Sequence, residues 1–220
     1  MSGLSLSHEP VSGVAHGKLA MWAFLASEIM FFSGFFGAFI VLRNSNLDVF
    51  SASAAELNKW LALVNTIVLI GSSLTMALSI LQLQKGNVKL FRLFMGLTIL
   101  CGLIFLVVKT VEYSGKFHHV LDEHEIMHLR NGVPPNPDAL LPGINPSTNV
   151  FFAFYFLMTG FHAIHVIAGL IPMVFMFVKS FTKGGYNHPV KVESLGLYWH
   201  FVDLVWIFLF PILYLIFPAH

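Results

Sequence analysis

The run LAMWAFLASEIMFFSGFFGAFIVL, residues 19–42, holds one ionisable side chain, Glu28, among 24 residues. Crossing about 30 Å of hydrocarbon takes about 20 helical residues, because a helix pairs its own backbone groups and each group left unpaired in lipid costs several kcal/mol. The run therefore reads as a membrane-spanning helix. Four further runs of this kind lie at 60–83, 93–111, 150–178 and 194–217, and none alternates with the period-two pattern of a β-barrel strand. The expectation is an all-α membrane protein, a single transmembrane domain over 1–220 built as a bundle of five transmembrane helices.

Composition points the same way. Of 220 residues, 56% are hydrophobic and 10% charged, against roughly a quarter charged in a soluble domain, so there is too little charge to coat a water-soluble globule. The net charge of +1, with acids and bases in balance, lacks the basic footprint that nucleic acid requires and excludes that partner. A lone cysteine, Cys101, excludes an internal disulfide and a thiolate cluster. Residues 1–17 are polar, without a basic n-region and a short apolar h-region, so no cleaved signal is expected there and the first apolar run acts as its own membrane signal. Small residues at four-residue spacing (Ser33 and Gly37; Gly71, Thr75 and Ser79; Thr98 and Gly102) let helix backbones approach closely. Pro172 and Pro211 predict kinks in the fourth and fifth spans.

Lys18, Lys85, Lys89, Arg92, Lys179, Lys183 and Lys191 fall on one side of the membrane, and Arg43, Lys59, Lys109, Lys116 and Arg130 on the other, seven against five. The positive-inside rule then sets the N-terminus in the cytoplasm and the C-terminus in the periplasm. The one sizeable polar segment, 113–149, becomes an outer loop with PPNPD and LLPGINPS turns, too short for an independent domain.

An ionisable group inside a membrane is a functional candidate, since placing it there costs from about 3 to above 10 kcal/mol. Glu28 lies about ten residues into the first span and Asp203 about ten into the fifth, each roughly 15 Å from the inner surface. His200 precedes Asp203 by three and shares its helical face; His162 and His165 are related in the same way. Together these five residues predict a buried polar cluster between the first, fourth and fifth spans. The bland alternative is that they hydrogen-bond neighbouring helices together. His165 with His200 also meets the crude requirement for a bis-histidine haem, whereas an oxygen-reducing haem-copper centre needs more histidines than the three within the spans. Lys109 and Glu112, three apart at the outer end of the third span, form an interface pair with Lys109 snorkelling outward.

In the outer loop, His124, Glu125 and His128 fit H-E-x-x-H, two zinc ligands one helical turn apart with a glutamate as general base. No G-x-x-H extension follows to add a third ligand. A solvated loop face is the leading reading there, and a zinc-dependent membrane protease its alternative. A small transporter using Glu28, His200 and Asp203 as a relay is a further alternative, but the spans show no inverted repeat.

Four ordered segments resemble the subunit III family of haem-copper cytochrome oxidases: LASEIMFFSGFFGAFIVLR (25–43), KTVEYSGKFHH (109–119), TGFHAIHVIAG (159–169) and YWHFVDLVWIFLFPILYL (198–215). Glu28 falls on the family's intramembrane glutamate, and the last segment resembles its W-H-F-V-D-x-V-W signature. Ala163 stands where the family pattern has glycine, and the stretch 122–149 is longer than the family's usual connection. The resemblance implies a five-helix bacterial type in the inner (plasma) membrane that is not catalytic alone. It implies no haem or copper on this chain, both residing in partner subunits; packing against subunit I and the other oxidase subunits; structural phospholipid in a cleft; and support of proton uptake during aerobic electron transport. A larger respiratory supercomplex is a further expected setting. Accessory subunits of quinol oxidase and nitric oxide reductase are the nearest alternatives, and the K-x-x-E-Y segment favours cytochrome c oxidase.

Overall fold

Backbone polar groups in lipid need partners along their own segment, and the chain answers with helices. The computed structural model describes residues 16–55, 57–120, 146–182 and 188–215. They form α1 (His16–Ser45), α2 (Leu47–Ala55), α3 (Lys59–Gln84), α4 (Val88–Val120), α5 (Pro146–Lys179) and α6 (Pro189–Tyr214); no strand occurs among the described residues. All but α2 are long and apolar enough to cross a membrane, over Leu19–Ser45, Lys59–Gln84, Val88–Ser114, Val150–Lys179 and Pro189–Tyr214.

The helices extend beyond the apolar runs because hydropathy marks contact with lipid while helix continuation depends on breakers. The segment TVEYSGKFHHV contains no proline, and α4 runs through it to Val120. Residues 113–120, assigned to a loop by hydropathy, are thus helical; 121–145, with the H-E-x-x-H residues, lie outside the described residues. Helix α6 starts with Pro189 at its first position, where a missing N–H costs nothing. The short α2 escapes a search for spans, yet Phe50 is fully buried, packed against Phe39 at 5.4 Å and Phe151 at 5.5 Å between ring centroids.

The α3 and α4 helices form a hairpin whose turn is fixed locally. Gly86 takes φ 75°, the left-handed conformation that glycine adopts without steric cost. The Asn87 N–H reaches the Gln82 carbonyl at 2.9 Å and the Gly86 N–H reaches Leu83 at 3.0 Å, the paired bonds of a Schellman motif. At the other end of α3, the Asn58 side chain caps the Leu61 N–H at 3.1 Å.

Helix α6 occupies the middle of the bundle, its backbone close to α1, α2, α3 and α5 and its side chains meeting α4, whereas the α1 backbone comes close to α2, α5 and α6 and not to α3 or α4 among the described residues. Two indole N–H groups tie α6 to α3: Trp199 donates to Ser72 Oγ at 3.0 Å and Trp206 to Thr66 Oγ1 at 2.9 Å. The Trp199 ring fits between two glycines. A Cβ on Gly102 would sit 3.0 Å from its Cη2, and one on Gly169 2.9 Å from its Cε3. Of the small residues picked out by spacing, Gly102 therefore serves close packing inside the chain, while Gly37 and Gly71 have no atom of the described chain within 4 Å of a Cβ position. Helices α5 and α6 continue through Pro172 and Pro211.

Candidate functional site

Glu28 on α1 meets His165 on α5. The Nε2 atom lies 2.9 Å from Glu28 Oε2, and Nδ1 lies 2.7 Å from the Phe161 carbonyl. A carbonyl only accepts, so Nδ1 carries a hydrogen and a single further proton is shared between Nε2 and the carboxyl. The pair is electrically neutral whichever partner holds that proton, which is the arrangement hydrocarbon tolerates best. Its side chains are 16% and 18% exposed, so the pair is reachable from outside the bundle. Tyr198 of α6 donates to the His165 carbonyl at 2.9 Å, and the Phe32 ring stands edge-on to the imidazole at 5.4 Å.

His200 and Asp203 face a different helix. His200 Nδ1 lies 2.5 Å from Ser73 Oγ of α3. Asp203, 3% exposed, has no hydrogen-bond partner on either carboxyl oxygen. These residues line a cavity of about 250 Å³ between α3 and α6.

His162 stands apart from both. It is buried with neither ring nitrogen partnered, its ring 5.4 Å from Phe105 and 5.1 Å from Trp206. The five residues expected to form one cluster thus occupy three environments. Helical spacing explains the split: three residues advance about 300°, which leaves His165 turned about 60° from His162, enough to aim one ring at α1 and the other at α4 and α6. Both nitrogens of His165 are engaged within the chain, which opposes its use as a haem ligand. Among the described residues no group of three or more His, Cys, Asp or Glu is placed to hold a metal ion.

Lys109 and Glu112 form a fourth site, and it differs from the snorkelling interface pair expected. Their side chains are 4% and 5% exposed, joined at 2.8 Å. The three ammonium hydrogens of Lys109 have three acceptors: Glu112, Tyr214 at 2.8 Å and Tyr155 at 3.2 Å. Tyr214 in turn donates to the second Glu112 oxygen at 2.8 Å. The ammonium also lies 5.1 Å from the Tyr155 and Trp206 rings, within cation–π range. With acceptors supplied from α5 and α6, the lysine has no reason to reach for the interface. Sequence spacing found the i,i+3 pair and missed Tyr155 and Tyr214, which are brought in by tertiary packing; Ser73 and Tyr198 were missed as partners for the same reason.

Comparison with known proteins adds an independent line. A family model for cytochrome c oxidase subunit III matches residues 143–217, a stretch that includes all of α5 and α6 and therefore His162, His165, His200 and Asp203. The cytochrome c oxidase subunit 3 of Alkalihalophilus pseudofirmus is 31% identical over 217 residues, covering 96% of this chain and 93% of the relative. The chain belongs to the cytochrome c oxidase subunit III family. The subunit 3 of Corynebacterium diphtheriae is 35% identical over 196 residues, 88% of this chain and 84% of its own, and that of Thermostichus vulcanus 29% over 200 residues, 90% and 86%. Membership makes this subunit III part of a multisubunit membrane enzyme of respiration, with other oxidase subunits as its setting. The readings as an accessory subunit of quinol oxidase or nitric oxide reductase, and as a zinc membrane protease, are not favoured.

Proposed function

We propose that this subunit III is a non-redox component of a proton-pumping haem-copper terminal oxidase, one that steadies the catalytic subunit I and supports proton uptake into it. Haem and copper belong to the partner subunits in this reading. The single-proton pair of Glu28 and His165 carries the proposal. It lies within the spans, on the outside of the bundle and half-buried, where a proton exchanged with water or with a neighbouring subunit leaves a change of charge confined to one carboxyl and one imidazole. With the N-terminus cytoplasmic and the C-terminus periplasmic in a bacterial plasma membrane, Glu28 sits toward the cytoplasmic half, the side from which protons are taken up. The apolar groove of about 230 Å³ between α1 and α6, lined by Phe32, Phe36, Phe201 and Phe208 among others, supports the placing of a structural phospholipid chain beside this pair. His162, packed against Phe105 and Trp206, and His200, bonded to Ser73, hold the surrounding helices in shape, and a larger respiratory supercomplex is a compatible setting.

The test is Glu28→Gln in the assembled oxidase, with proton uptake and the number of turnovers before inactivation measured together. Slower uptake and a shorter working lifetime are expected. Unchanged values of both remove Glu28 from the mechanism.

A further inference from the structure

The end of the bundle that carries the α3–α4 turn, the C-terminus of α5 and the start of α6 is basic. Lys85, Lys89, Arg92, Lys179 and Lys191 lie there. Among the described residues the carboxylate at this end is that of Glu193, which accepts from Gln84 at 2.8 Å. Two of the cations stand beside the seam between α4 and α5. Arg92 is held in one orientation: Nη2 donates to the Ser180 carbonyl at the C-terminal end of α5, at 2.5 Å, and the guanidinium lies 4.3 Å above the centre of the Phe181 ring. Capping α5 in this way uses one of five N–H donors. Nε is buried without an acceptor, whereas Nη1 is not buried and has no acceptor among the described residues. Lys89, three residues earlier and so about 60° round the helix, is exposed.

Depth and surroundings decide what meets these donors. The α4 span, Val88–Ser114, has 27 residues, about 40 Å of helix, which matches the hydrocarbon with its headgroup layers. Arg92 then stands about 6 Å and Lys89 about 1.5 Å inside the end of the span, at the level of lipid phosphates. Deeper along the seam Gly96 contributes no side chain, and its Cβ position is 3.4 Å from the Phe177 ring, so the two helices run close. Leu93 and Leu103 of α4 and Val174 and Val178 of α5 are exposed on the adjoining faces. Cationic donors at phosphate level above apolar side chains complement a phospholipid. The surplus of cations selects among phospholipids: a choline head brings its own ammonium to an end that is already basic, and an anionic head brings none. We propose that the α4/α5 seam binds an anionic phospholipid, with its phosphate on Arg92 and Lys89 and its acyl chains over the exposed leucines and valines. This site is separate from the α1/α6 groove, and it rests on the chain spanning a membrane, not on the proposed part in proton uptake.

Photolabelling of the assembled oxidase in lipid bilayers tests it. Phosphatidylglycerol and phosphatidylcholine, each with a diazirine near the top of one acyl chain, are supplied in equal amounts, and the adducts are mapped by mass spectrometry. Leu93 and Val178 are expected to take phosphatidylglycerol about tenfold over phosphatidylcholine, while Ile67, exposed on α3, takes both alike. Lys89→Gln, a change at an exposed side chain, is expected to lower the preference about threefold, and Lys89→Gln with Arg92→Gln to bring it to about one. Equal labelling by the two lipids in the unaltered complex, or a preference that survives both variants, overturns the proposal. Failure of either lipid to label the seam overturns it too, since a polypeptide then covers this face. Inorganic phosphate in excess, against chloride at the same ionic strength, is expected to leave the labelling in place; its loss overturns the assignment to a lipid. Each of these outcomes leaves the reading of Glu28 and His165 as it stands.

Discussion

Replacing Lys109 by methionine removes the cation from the Lys109, Glu112, Tyr155 and Tyr214 cluster while nearly preserving its stem. Three hydrogen bonds disappear, one of them the 2.8 Å contact to Glu112, and the carboxylate stays buried with Tyr214 as its remaining donor. Breaking a buried pair from one side costs about 3–5 kcal/mol, roughly two to four powers of ten in the folding equilibrium. Glu112→Gln keeps an acceptor for the ammonium and costs less, about 1–3 kcal/mol. The double change Lys109→Met with Glu112→Leu removes both charges, and Tyr155 and Tyr214, 3.2 Å apart, still satisfy each other. It is expected to recover all but about 1–2 kcal/mol, because a buried ion pair replaced by apolar side chains is close to neutral. Denaturation by SDS titration in mixed micelles, followed by intrinsic tryptophan fluorescence with Trp206 beside the cluster, measures each step. Additive losses in the double variant, or a Lys109→Met loss below about 1 kcal/mol, would refute the description of a closed, buried network.

Other expectations concern single contacts. Gly169→Ala places a methyl group 2.9 Å from Trp199 Cε3 and should cost about 1–3 kcal/mol by overpacking, read as a lowered midpoint in the same titration. Gly86→Ala forces an L side chain to φ 75°, at a cost of about 1–2 kcal/mol. Asn58→Ala removes the cap on the Leu61 N–H and should cost about 1 kcal/mol. His165→Leu leaves Glu28 without its imidazole, and adding Glu28→Leu in the same chain should restore part of the lost stability; a double variant no more stable than His165→Leu would count against the pairing.

Membrane spans were readable from composition and run length because lipid imposes one requirement on every residue of a segment. The core of the bundle was only partly readable. Spacing located Gly102, yet by the same rule it located Gly37 and Gly71, and nothing in a run of apolar residues says which of its faces meets another helix and which meets lipid. Helix α2 was invisible to a length criterion because it lies against the bundle through Phe50 and does not cross. Ionisable residues announced themselves individually: Glu28, His165, His200 and Asp203 are conspicuous in any hydropathy profile. Their grouping was not legible, since the partners that define each site, Ser73, Tyr155, Tyr198 and Tyr214, are hydroxyl-bearing residues ordinary in spans and interfacial belts. The buried state of Lys109 required knowing that two tyrosines from other helices converge on it. Family motifs supplied the order of the segments and the setting, and the coordinates supplied who touches whom.

The position of α6 has a consequence for how the chain matures. Helix α6, which follows the other described helices in the chain, is the one around which they are organised, and the backbones of α1 and the α3–α4 hairpin do not come close to one another among the described residues. Ser72 and Thr66 must wait for the indoles of Trp199 and Trp206 to arrive. Until synthesis reaches α6, α1 and the hairpin are joined only through α5, which packs on α1, α2 and α4, and a chain cut short before α6 would lack the helix that fills the space between them. Arrival of α6 and closure of the bundle are thereby the same event.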